Sequence, residues 1–277
     1  MLRRQLGAEL RRLREAAGRT VADVAGALGW SESKLSRIET AAIGIRAADL
    51  ERLLDGYRVE AAERARLGGL AVQSRQRAWW EAYGDVLPDA YETYIGFEAE
   101  ASAIYTYEAQ VVPGLLQTAE YASAIMQAEL ADDRPEIIGQ RVGVRMARQA
   151  VLTRDPAPEF RAVLDEDVLR RPIGGAEVLR RQLLRLAELS ERPNVTLQVL
   201  PFSVGAHRGL AGSFIVLEFG DGTGEPLVYS EGLTGGVFRN KAAEVRTYLM
   251  AFEAIRAASL GPKDSLALIQ KIARGEG

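Results

Sequence analysis

Apolar residues at Leu2, Leu6, Leu10, Leu13 and Ala17 fall at spacings of four, four, three and four, which predicts an amphipathic first helix that Gly18 ends. Thr20 and Asp23 form the pattern of a capping box, opening a second helix near 21–28 that buries Val21, Val24, Ala25 and Leu28. Gly29 supplies a turn. Ser31 then caps a third helix with Leu35 and Ile38 on its inner face and Glu32, Ser33, Lys34, Ser36 and Arg37 on its outer face. A fourth helix is predicted over about 47–56, with Leu50, Leu53 and Leu54 inside, and a fifth over about 60–80 as a connector.

From about residue 91 the pattern changes. Helices are predicted near 91–107, 117–130, 135–152 and 175–190, and two more close the chain near 241–258 and 263–274, the latter opened by Pro262. Between them lie short β-type runs: FRAVL at 160–164, VTLQVLP at 195–201, SFIVLEF at 213–219 and PLVYSE at 226–231. The expected architecture is a mainly α, five-helix N-terminal domain over 1–78, followed by an α+β domain with a small sheet over 79–277.

The first three helices carry a specific requirement. In a DNA-binding helix-turn-helix two helices cross closely, so a small residue is needed at the contact and a tight turn between them. Ala25 and Gly29 meet both demands, while Val24, Leu28, Leu35 and Ile38 seal the interior. A plain helical bundle would place the same apolar residues, but it would favour long Glu/Lys pairs on the outer face of the third helix. Here that face is short, polar and basic, and Arg37 is its one long bidentate donor, suited to guanine. One short recognition helix touches few bases, so a homodimer on double-stranded DNA is expected, with its contacts in the second domain.

Charge sharpens the picture. The chain is net −3, but residues 1–78 hold 15 Lys+Arg against 10 Asp+Glu and residues 79–277 hold 20 against 28. A basic head on an acidic body is expected when only the head meets phosphate. There is no cysteine and one histidine, His207, which removes disulfides, thiolate chemistry and Cys/His zinc sites; no metal and no cofactor is expected. The N-terminal stretch offers no apolar signal-peptide core and no run approaches membrane-spanning length, so a cytoplasmic location is expected.

With these residues in view, 1–60 resembles the Cro/repressor-type five-helix domain of the xenobiotic-response-element family. The resemblance implies that Ser31 is a phosphate-contacting N-cap, that Glu32, Ser33 and Arg37 face base edges, that Lys34 faces the DNA backbone, and that Arg14 and Glu39 form a buried ion pair. Trp30 and Val21 depart from it, the latter replacing a glutamine that often reaches a phosphate. The rest is similar to a longer regulator type of filamentous actinobacteria, typified by WhiJ-like proteins with an antitoxin-like role. The fragments that carry this are WWEAYGDVLP at 79–88, YIGFEAEASAIYTYEAQVVPGLLQTAEYA at 94–122, RMARQAVL at 145–152, LDEDVLRRPIGG at 164–175, RPNVTLQVLPFSVGAH at 192–207 and SLALIQKI at 265–272. Tyr105 stands where arginine is usual. This second resemblance implies a DNA-binding head, a C-terminal domain of unsettled ligand and a small acidic partner protein.

Other features bear on chemistry. His207, beside Arg208 in a Gly-rich loop, is either a general base or a solvated loop histidine, and no nucleophile elbow surrounds Ser203 or Ser213, so no catalytic residue is assigned. Asp165, Glu166 and Asp167 hold a cation or, more commonly for such a run, cap a helix. The Gly-rich stretches at 220–224 and 232–236 lack phosphate-loop spacing and read as hairpin turns. Trp79, Trp80 and Tyr83 form either a ligand cage or domain packing. Three classes stay open: a regulator with a body that senses a small protein or a small-molecule effector, an enzyme fused to a DNA-binding head, and an interaction protein whose head no longer binds DNA. The last turns on whether Lys34, Arg37 and Arg46 share an exposed basic face.

Overall fold

The computed structural model describes residues 2–41, 43–76, 86–129, 134–220 and 225–276. The chain divides into two compact units, Met1–Ala82 and Tyr83–Gly277.

The first unit contains α1 (Leu2–Ala16), α2 (Val21–Leu28), α3 (Glu32–Glu39), α4 (Ala47–Gly56) and α5 (Ala61–Gln76). Its core gathers one stripe from each helix, with Leu10, Leu35, Leu53, Leu54 and Leu67 fully buried. The boundaries follow local chemistry. The Thr20 hydroxyl accepts from the Asp23 N–H at 3.1 Å while the Asp23 carboxylate accepts from the Thr20 N–H at 2.8 Å, which satisfies two otherwise orphan donors at the start of α2. Gly29 ends α2 at φ 69, a left-handed conformation that costs glycine no side-chain clash. Gly7 serves close approach instead: a Cβ there would lie 2.6 Å from the Glu39 carbonyl oxygen, so α1 reaches the backbone at the end of α3 only without a side chain.

The second unit contains α6 (Asp89–Glu100), β1 (Ala103–Glu108), α7 (Ala119–Glu129), α8 (Pro135–Arg148), β2 (Glu159–Asp165), α9 (Glu166–Arg170), α10 (Ala176–Leu189), β3 (Val195–Leu200), β4 (Phe214–Glu218), β5 (Leu227–Gly232), β6 (Gly235–Arg239), α11 (Ala242–Ala258) and α12 (Pro262–Ala273). The strands form one six-stranded sheet in the order β3-β2-β1-β4-β5-β6. The β1, β2 and β3 strands run parallel, whereas β4, β5 and β6 pair antiparallel in succession from β1. Helices cover both faces. Ile104, Phe160, Ala162, Leu164, Leu217 and Tyr229 join a core with α7, α10 and α12, and Tyr107, Val163, Phe214, Val216 and Val228 join a second core with α11.

The sheet is larger than the small one expected from the pattern, for two reasons. The helix predicted through 107 stops at Glu100, and residues 103–108 become the central strand β1. Ile104-Tyr105-Thr106-Tyr107 are β-branched or aromatic, and a strand flanked on both sides and covered on both faces lacks the polar alternation that reveals a strand. The Gly-rich stretch at 232–236 is a hairpin turn, with Gly232 opposite Gly235, but the chain then continues as the edge strand β6.

Candidate nucleic-acid interface

Two helices and a turn position the outer face of α3. Ala25, 1% exposed, lets α2 approach α3, and the Trp30 N–H donates to the Ala25 carbonyl at 2.8 Å, tightening the turn. Ser31 caps α3 by accepting the Lys34 N–H at 3.2 Å, so its own hydroxyl proton is left to donate outward beside the positive end of the helix. Leu35 and Ile38 are buried, while Ser31, Glu32, Ser33, Ser36 and Arg37 are exposed on the opposite side. Among the described residues the side chains of Glu32, Ser33, Ser36 and Arg37 have no hydrogen-bond or ion-pair partner.

Lys34 is placed differently from its neighbours. Its ammonium lies 2.9 Å from Asp49 Oδ2 and 3.9 Å from the centre of the Trp30 ring, so in the free protein it is held against α4. This contact brings the first turn of α4 beside α3, with Arg46 at the α4 N-cap exposed and without an ion-pair partner among the described residues. Of Lys34, Arg37 and Arg46, the two guanidiniums are therefore free of partners among the described residues and the ammonium is tethered.

Beneath this face Arg14 and Glu39 meet. Arg14 Nε donates to Glu39 Oε1 at 2.7 Å and Nη2 to Oε2 at 2.9 Å, and Nη1 donates to the Arg19 carbonyl at 3.0 Å. Both side chains are almost wholly buried, and the Glu39 hydrogen bonds raise the Arg14 pKa further. The pair ties α1 to the last residue of α3 and so fixes the angle at which α3 is presented.

The N-terminal geometry has a counterpart in comparison with known proteins: a family profile described as a helix-turn-helix domain matches residues 5–67. The first unit is a helix-turn-helix domain, the DNA-binding module of a regulator. A second profile, described as a domain of unknown function (DUF5753), matches residues 91–271, most of the chain. The chain belongs to the DUF5753 family. No curated protein and no solved structure matches it. No helix among the described residues is long and apolar enough to cross a membrane.

Within the DUF5753 region the remaining sequence candidates find their places. His207 Nδ1 accepts the Gly209 N–H at 3.2 Å, and its Nε2 lies 3.8 Å from Asp165 Oδ2, which also accepts the Tyr107 hydroxyl at 3.2 Å. Asp165 is the N-cap of α9, accepting the Asp167 N–H; Glu166 accepts the Phe202 N–H and pairs with Arg170, and Asp167 pairs with Arg171. The acidic run is thus engaged in capping and ion pairs, and no group of three metal-ligating side chains occurs among the described residues. Trp79, Trp80, Tyr83 and the stretch 221–224 lie outside the described residues.

A polar cluster in the DUF5753 region escaped the sequence analysis. Arg148 donates to both oxygens of Glu98 at 2.8 and 2.7 Å, with Tyr94 donating to Glu98 at 2.6 Å and Arg148 also bonded to the Tyr91 hydroxyl. Beside it lies Glu108, at the end of β1. No motif spacing links residues 98, 108 and 148. The one available signal was the alternation Ile104, Thr106, Glu108, visible once 103–108 is read as a strand.

Proposed function

We propose that this DUF5753 protein is a sequence-specific transcriptional regulator that binds operator DNA as a homodimer, with α3 in the major groove. Arg37 reads guanine through a bidentate pair, Glu32 and Ser33 contact neighbouring base edges, and Ser31, Ser36 and Arg46 hold the phosphates, joined by Lys34 once it leaves Asp49. The supporting observation is the outer face of α3: four polar side chains without partners among the described residues, on a helix whose inner face is buried and whose ends are capped. The solvated face of α10 differs, with Arg180 and Arg181 both paired with Glu177.

Residues 79–277 receive the regulatory signal and supply the dimer contacts, because the head uses its short length for core and DNA face. The family resemblance makes the first candidate signal a small acidic partner protein, giving an antitoxin-like role; a small-molecule effector is the second. Selection of random duplexes by the full-length protein tests the proposal. Enrichment of a two-fold symmetric sequence with half-sites one helical turn or a multiple apart is expected. Recovery of no sequence preference would reject it.

A further inference from the structure

The sheet and its helices enclose a cleft that the DNA-binding reading does not use. It has a cavity of about 130 Å³ and an adjoining one of about 90 Å³, with Tyr91, Glu129, Arg145, Tyr229 and Glu231 bordering both. A dry cavity of about 150 Å³ is known to admit benzene, so the larger lobe is close to the size of one ring and the smaller to that of a short chain. The cleft sits where the topology leaves a gap. The chain leaves β1 toward β2 and β3 on one side, and β4 returns on the other. In α/β sheets with such a switch, ligands bind beyond the carboxyl ends of the strands. Glu108 closes the carboxyl end of β1, and Glu231 lies near that of β5, which runs in the same direction because two antiparallel pairings separate the two strands.

The polar lining is unbalanced. Glu98 and Arg148 satisfy each other and need no further partner. That leaves Glu108, which is buried, and Glu129 and Glu231, which are exposed; none of the three has an ion-pair partner among the described residues. Glu108 is only 9% exposed and has the Thr106 hydroxyl, 3.0 Å away, as its closest support. A buried carboxylate without a counter-cation is costly in free energy, and proteins normally pair such groups. Arg145 does not provide the pairing. Its Nη1 donates to Gln117 at 3.0 Å, and its Nε is buried with no partner among the described residues. A further observation points to a ligand: Tyr229, 2% exposed, borders both lobes, and its hydroxyl has no hydrogen-bond partner among the described residues. Buried tyrosine hydroxyls are ordinarily bonded. The remaining wall is apolar, with Ile104, Val112, Leu115, Ile125 and Ile215 beneath and beside the carboxylates.

We infer that this cleft is a binding site for a small organic amine, whose ammonium meets Glu108 and Glu231 and whose compact apolar body fills the lobe above Ile104 and Ile215. A hydroxyl or carbonyl on the same molecule would satisfy the Tyr229 hydroxyl and Arg145 Nε. An anionic ligand is disfavoured because, outside the Glu98–Arg148 pair, the three carboxylates of Glu108, Glu129 and Glu231 outnumber the guanidiniums of Arg141 and Arg145 in the lining. The inference deepens the proposal that the C-terminal domain receives a signal, and it rests on that proposal only for the consequence of binding; the site stands on its own geometry.

Isothermal titration of the full-length protein separates the possibilities with three probes of one size: phenethylamine, the neutral 2-phenylethanol and the anionic phenylacetate. The amine is expected to bind at one site per chain, and the alcohol and the acid at least about tenfold more weakly. Glu108→Gln and Glu231→Gln should each weaken the amine by about tenfold while leaving the alcohol unchanged. Glu231 is exposed, so its variant remains informative should Glu108→Gln impair folding. Equal binding of the three probes, preference for phenylacetate, or no amine binding up to about 10 mM, a few kcal/mol short of ordinary recognition, would overturn the inference. Operator affinity measured with saturating amine is a separate readout: binding without any change in affinity would refute the sensor role and leave the site intact.

Discussion

Lys34 Nζ lies 2.9 Å from Asp49 Oδ2, so the one lysine of the α3 face is bound to α4 before any DNA arrives. Both groups are partly exposed, and such pairs contribute only about 0–1 kcal/mol, which makes the tether easy to exchange for a phosphate. The Trp30 ring beneath the ammonium helps to hold it beside α3.

Asp49→Asn should therefore release Lys34, raising affinity for specific and random duplexes alike. Lys34→Ala should lower both alike and flatten the slope of log K against log salt by about one. Titrations at several salt concentrations check both variants; a loss confined to the specific duplex would place Lys34 among the base-reading groups.

Glu39→Ala strands the Arg14 guanidinium in the interior of the head, where it is 9% exposed. Breaking a buried pair in this way costs about 3–5 kcal/mol. Denaturant unfolding of the full-length protein should show the loss in the transition of the helix-turn-helix unit. Glu39→Gln, which retains an acceptor, should lose less. An unchanged midpoint for the alanine variant would show that the pair contributes nothing to the head.

The stability of the second unit should depend on Glu108. Burial raises its pKa from the usual carboxylate value to about 7, with Glu231 pushing in the same direction and Thr106, Ser213 and Arg145 opposing. The folded state thus holds this proton more tightly than the unfolded chain. The resulting stabilisation is fully present below about pH 4.5 and is lost as the pH rises through 7. The difference is roughly 3 kcal/mol at 1.36 kcal/mol per unit. Glu108→Gln, neutral at every pH, should lack this part of the pH dependence and melt higher than the unsubstituted protein at pH 8. Parallel melting-temperature profiles between pH 5 and 8 for the two proteins would contradict the assignment.

The head was legible because its signals are local. Thr20 with Asp23, Gly29 and Ser31 declare helix ends within a few residues, and the 3.6-residue period of Leu6, Leu10, Leu35, Leu53 and Leu54 needs no distant partner. The second unit was legible in its helices and in β2 to β5, whose apolar runs stand between turn residues. Its central strand was not, because Ile104-Tyr105-Thr106-Tyr107 follows a helix after only Ala101 and Ser102, and its identity comes from pairing with residues 159–164 and 214–218 far along the chain. The cleft was hidden for the same reason. Glu98, Glu108, Arg145, Tyr229 and Glu231 span more than a hundred residues of sequence and converge only through sheet topology. Lys34 illustrates a subtler limit: its place on the helix could be read, but its bond to Asp49 depends on where α4 packs.

The central claim is that α3 reads sequence, and Arg37 tests it most directly, since its guanidinium is exposed and has no partner among the described residues. The measurement is the affinity of full-length Arg37→Ala for the selected operator and for each single-base variant of one half-site, compared with the unsubstituted protein. A loss of roughly 1–3 kcal/mol per half-site is predicted, with discrimination abolished at one base pair and kept at the others. Retention of the full discrimination profile, or an equal loss on operator and random DNA, would contradict recognition through this helix.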